Sequence, residues 1–129
     1  MGADADWLIQ KKHGDSWFNH ARSLFVERDY NLFALINGLQ RRDHKAVIPA
    51  KGWPKDLDGH DLDRDFEYGT YSDPYLPTWL TLAEAIMVGQ RYRTLTGRTS
   101  KDWDGIVEMM RALGRDDGES VRLLFWCTH

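Results

Sequence analysis

One cysteine, four prolines and no apolar run long enough to span a bilayer set the first limits on this 129-residue chain. A lone Cys127 excludes an internal disulfide, so whatever stability the chain has must come from its core. With one cysteine and five histidines in neither HxH nor HExxH spacing, a structural zinc is not expected. No P-loop, no GxSxG elbow and no strand-linked GxGxxG occurs, which leaves nucleotide chemistry on a known loop and triad hydrolysis without support. No secretory h-region and no stretch of about 18 apolar residues is found, so no membrane contact is expected and a cytoplasmic location is.

An excess of one charge is missing too. Seventeen Lys and Arg face twenty Asp and Glu, a net charge of −3. That balance argues against a protein that holds nucleic acid by phosphate neutralisation over its whole surface, and nucleic acid is not an expected partner.

What is present is the composition of an ordinary folded domain. Apolar residues at 42% and charged residues at 29% suit a chain able to bury roughly two thirds of its unfolded surface, and a single domain over 1–129 is expected. Six tryptophans are many for this length; most belong in the core, and any left exposed mark a binding surface.

The pattern predicts an α+β fold: a small antiparallel sheet made of an N-terminal hairpin and a central C-terminal strand, packed against about three helices. The hairpin is read from Trp7, Ile9, Trp17 and Phe18 around the His13-Gly14-Asp15 turn. Asp29 caps a first helix bearing Tyr30, Phe33 and Ile36, which Asn37-Gly38 ends. Thr81-Leu82-Ala83-Glu84 is a capping box, and the wide apolar face that follows, Ala83, Met87 and Val88 included, predicts a helix lying deep against the sheet. Trp103, Ile106, Val107, Met110 and Leu113 mark a third helix closed by Gly114. Val121 to Cys127, apolar on both faces, is the central strand. Between the helices, residues 40–77 hold all four prolines and read as one long irregular loop, the kind of segment that carries function.

Within that loop the alternating carboxylates Asp56, Asp58, Asp61 and Asp63 are the candidates for a hard cation. Their Gly59 does not fall where an EF-hand needs it, and a solvated charge run is the favoured reading. No cofactor is expected. Basic residues gather at Arg41, Arg42, His44 and Lys45 and again at Arg91, Arg93, Arg98 and Lys101. They are suited to phosphates or to an acidic protein face, although solvated helix ends account for them more simply. Cys127, inside the terminal strand, reads as a small buried hydrophobe. A buried pairing of Arg28 with an acid would fix the start of the first helix.

Three blocks and the terminal strand resemble a family of small uncharacterised bacteriophage and prophage proteins: Arg28-Asp29-Tyr30-Asn31-Leu32-Phe33-Ala34, Gly52-Trp53-Pro54-Lys55-Asp56-Leu57, the stretch from Asp73 through Trp79-Leu80-Thr81-Leu82, and Val121-Arg122-Leu123-Leu124-Phe125-Trp126. The family's Asp-Ala-His-Ser run is replaced by Asp73-Pro74-Tyr75-Leu76 and the Leu of its Gly-Leu-Pro turn by Trp53, both of which add aromatic surface. The resemblance implies a viral protein in a bacterial cytoplasm that binds and inhibits a host protein, in the manner of an anti-defence factor. The aromatics and arginines of the long loop and of the Arg91–Arg98 region, Arg41, Arg42, Trp53, Tyr71, Tyr75, Arg91 and Arg93, are the expected contacts. Catalysis is not the expected mode. The alternatives are a small enzyme built on Arg28, Tyr30, Asp61, Asp63 and Tyr75 beside the Thr81 helix, and a self-associating accessory protein that dimerises through the aromatic loop.

Overall fold

A computed structural model describes residues 2–40, 44–57 and 74–128. Strand β1 (Asp4–His13) turns at Gly14 into β2 (Ser16–Leu24), with the glycine at φ 62° as a two-residue hairpin loop requires. Helix α1 (Tyr30–Asn37) follows, capped by the Asp29 side chain on the Leu32 amide and closed by Gly38 in the left-handed region. Strand β3 (Tyr75–Thr81) runs straight into α2 (Leu82–Thr96), then come α3 (Lys101–Leu113), a short 3-10 turn and β4 (Val121–Thr128). The sheet is antiparallel in the order β2-β1-β4-β3. The expected α+β class, hairpin and central C-terminal strand are all present.

β3 is the element missing from the sequence reading, which left Tyr75–Leu80 in the irregular loop. Pro77 hid it, because a strand interior does not tolerate a residue without an N–H. Here the strand lies at the sheet edge, and its register breaks between Tyr75 and Thr78, where Leu76 adopts φ 53°. The Leu76 carbonyl turned out by this bulge accepts a 3.0 Å bond from the Asn37 side chain at the end of α1.

The helices cover one face of the sheet. Ala5, Trp7 and Ile9 of β1 and Leu123, Phe125 and Cys127 of β4 point into this layer, where Phe25, Phe33, Phe125 and Trp103 form an aromatic centre. The enclosed helix is α1, buried from Leu32 through Asn37. α2 is not the deep helix its apolar pattern suggested: only Ala85, Val88 and Tyr92 are buried, while Ala83 and Met87 face solvent. The reason is competition for area, since α1 and α3 also pack on this face and leave α2 only the narrow stripe of Ala85, Val88 and Tyr92. Gly114 ends α3 at φ −96°, so its lack of a side chain serves space rather than handedness: a Cβ there would lie 2.8 Å from Val121 Cγ1.

The opposite sheet face carries Leu8, Leu124 and Trp126, covered by Trp53, Leu57 and Trp79. This second layer is why β4 is apolar on both sides. The capping box sits between the layers. Thr81 Oγ1 accepts from the Glu84 amide at 3.2 Å, and Glu84 accepts from the Thr81 amide at 2.9 Å and from Lys51, whose Nζ also stands 3.8 Å over the Trp79 ring. Burial pushes the Glu84 carboxyl up, but the hydrogen bonds from Lys51 and Thr81 outweigh it, so its pKa is lowered. The stabilisation is therefore complete above the unfolded value of about 4.3 and is lost as pH falls through the lower folded value. Glu84→Gln should cost about 1 kcal/mol at neutral pH, with the gap between the two proteins' melting temperatures steady from pH 7 to 5 and closing below about pH 4.

Candidate binding surfaces

The described residues among those singled out for partner contact, Trp53, Tyr75, Arg91 and Arg93, do not share one surface. Arg41, Arg42 and Tyr71 lie outside the described residues, as do Asp58, Asp61 and Asp63. Trp53 lies on the second sheet face, with its ring centroid 5.4 Å from that of Trp126. Tyr75 is half-buried against the main core. Arg91 and Arg93 are exposed on α2, but two residues of helix separate them by about 200° of rotation, and Arg91 alone lines a hollow.

That hollow, of about 440 Å³, lies between α2 and the 44–47 segment, which the Val47 amide pins to the Leu35 carbonyl of α1 at 2.8 Å. Leu35, Ala46, Val47 and Leu95 form its apolar floor. Lys45 and Arg91 supply its charge, with His44 beside them, and among the described residues no carboxylate lines it. Met87, Arg91 and Leu95 continue outward as an i, i+4, i+8 stripe on α2, with Met87 45% and Leu95 38% exposed. An apolar floor with a cationic rim is complementary to an acidic surface that also presents a hydrophobic side chain.

The second surface is a cleft of about 750 Å³ between the open sheet face and the 51–57 segment. Trp17 of β2, Trp79 of β3 and Trp53 line it, with Lys12, Lys51, Lys55 and Arg122. Its centre is a hydrogen-bonded chain. Gln10 donates to Asn19 at 2.9 Å, Arg122 Nε donates to Gln10 at 2.8 Å, and Arg122 Nη1 and Trp17 Nε1 hold the two oxygens of Asp56 at 2.7 and 3.0 Å. The guanidinium also stacks 4.0 Å over the Trp17 ring. The bond from Arg122 holds the Asp56 carboxyl below its usual range, against a smaller upward push from burial. Sequence reading overlooked Arg122, Trp17 and Trp79. The available signal was a lone arginine in an apolar strand: at period two, Arg122 shares a face with Leu124 and Trp126.

The Asp56 carboxylate accepts from Arg122 and Trp17, and among the described residues no group of three His, Cys, Asp or Glu side chains is placed to hold a metal ion. Arg28 does find an acid, with Nε 2.7 Å from Asp4, but both side chains are about half-exposed rather than buried as expected. The pair ties the start of β1 to the residues before α1. Arg28 and Tyr30 line a cleft of about 670 Å³ whose described lining does not include Tyr75. Cys127 is buried, and burial pushes its thiol up to about 11 against the opposing bond from Asn37. At pH 8 it should stay unmodified by a thiol reagent such as Ellman's in the folded protein and react at once in denaturant.

No protein family, no curated protein and no solved structure matches the chain. No helix among the described residues is long and apolar enough to cross a membrane.

Proposed function

We propose that this chain is a phage-type, non-catalytic binding protein that inhibits a bacterial host protein, an anti-defence role, by docking the hollow beside Arg91 onto an acidic surface of that partner. The observation that carries the reading is the pairing of the apolar floor (Leu35, Ala46, Val47, Leu95) with a rim whose described charges, Lys45 and Arg91, are of one sign. Buried apolar contact supplies affinity and the uniform charge supplies orientation and speed of encounter. The viral and host setting comes from the resemblance of the Arg28, Gly52, Trp79 and Val121 blocks to phage proteins.

The test is affinity capture from bacterial lysate. The protein should retain a saturable acidic partner that rising salt releases. Arg91→Glu combined with Leu95→Ala should abolish capture, while Lys55→Glu, on the other sheet face, should leave it intact. Capture that survives the α2 double substitution, or no saturable partner at all, contradicts the reading. Light scattering of the isolated chain separates this from self-association, which would give a dimer that the same double substitution dissolves.

A further inference from the structure

The cleft on the other sheet face is built for a small molecule rather than for a protein surface. Its volume of about 750 Å³ falls among those of ligand pockets, and three indoles, Trp17, Trp53 and Trp79, stand among its described walls. Four cations line it, Lys12, Lys51, Lys55 and Arg122, against two carboxylates, Asp56 and Glu119.

Arg122 is the decisive group. It is 4% exposed, its Nε serves Gln10 and its Nη1 serves Asp56, yet among the described residues its Nη2 has no hydrogen-bond partner. A guanidinium fork is shaped to hold an oxyanion with both arms, and a buried arm left empty is costly. Here one arm is empty and the other holds a carboxylate whose own side chain is 61% exposed, on a loop rather than on the sheet. Asp56 is therefore a replaceable occupant of an anion site. When it swings outward, Lys12, Lys55 and the fork of Arg122 face Glu119, the fourth cation, Lys51, being paired with Glu84, and the three indoles stay in place. A lone inorganic anion would use the fork and leave unused the indole surface that Arg122, Lys51 and Trp126 do not already cover. An uncharged ring would use the indoles and leave the fork empty.

We propose that this cleft binds a free nucleotide, its phosphate displacing Asp56 from Arg122 and its base stacking on the cleft's indoles. A phosphomonoester carries close to two negative charges and three acceptor oxygens, enough to engage both arms of Arg122 and the lysines at the mouth. Bases stack on aromatic side chains with little regard to sequence. The site is independent of the docking hollow, which lies across the sheet.

Titration of intrinsic tryptophan fluorescence with AMP, GMP, CMP and UMP at low salt tests it, with inorganic phosphate and an oligothymidine as further arms. At least one mononucleotide should quench saturably, and inorganic phosphate should compete only at concentrations at least about tenfold higher. Asp56→Ala, at an exposed position, should tighten binding about tenfold by removing the competing carboxylate. Reversing the exposed Lys12 and Lys55 to Glu should weaken it by a similar factor, and the Arg91→Glu, Leu95→Ala protein should bind as the parent does. The proposal is overturned if no mononucleotide quenches saturably at millimolar concentration in either the parent or the Asp56→Ala protein, or if Asp56→Ala weakens binding. Tight binding of the oligothymidine without the mononucleotides would overturn it in favour of a strand-binding groove.

Discussion

Replacing Trp103 with alanine is expected to remove about 4 kcal/mol of stability, the largest loss of any substitution considered. The indole is 1% exposed and stacks near Phe25, whose ring also meets Phe33 and Phe125. Its Nε1 donates to the Ala85 carbonyl at 2.9 Å, which fastens α3 to α2. Gly89 leaves room for it, since a Cβ there would stand 3.2 Å from Trp103 Cδ1. Truncation thus opens a cavity that α2 and α3 cannot close without leaving the sheet. Against a total of about 5–15 kcal/mol for a domain of this kind, the loss should lower the melting temperature by roughly 15 °C. Urea denaturation measures it directly. Trp103→Phe should cost less than the alanine variant, because much of the packing survives while the hydrogen bond and part of the ring volume are lost. A loss below about 1 kcal/mol for the alanine variant would mean that the aromatic centre does not hold the helices.

The second large effect concerns binding. On the proposed docking, Arg91→Glu with Leu95→Ala should weaken affinity for the host partner by about a hundredfold while leaving the fold intact. The two residues lie one turn apart on the solvent side of α2 and line the same hollow, so their contributions fall on one patch of partner surface. Reversing Arg91 places a carboxylate against an acidic face, and trimming Leu95 removes apolar contact at the floor. Both substitutions keep good helix formers, so circular dichroism and the melting temperature should change little. The association rate should carry much of the loss and depend steeply on salt in the parent protein only.

The elements that the sequence made legible are those fixed by local chemistry. The Gly14 turn, the Asp29 and Thr81 caps and the 3.6-residue spacing of Trp103, Ile106 and Met110 each act within a few residues, so no knowledge of the fold is needed to read them. What escaped depends on long-range placement. β3 contains a proline that an interior strand would reject, and only its position at the sheet edge permits it. The exposure of Met87 follows from how three helices divide one sheet face. The cleft needed three elements and a loop to bring Trp17, Trp53, Trp79 and Arg122 together, from positions as far apart as 17 and 122 in the chain. Of the residues chosen beforehand for contact, Trp53 and Arg91 do line concave surfaces, but on opposite faces of the sheet.

The proposed division of the molecule into a docking side and a ligand side is most directly tested by hydrogen–deuterium exchange on the complex with the captured host protein. Slowed exchange in α2 between Met87 and Leu95 and in the 44–47 segment, with 51–57 unchanged, is the predicted result. Protection confined to 51–57 and the Trp17 strand, with α2 exchanging as in the free chain, would contradict it.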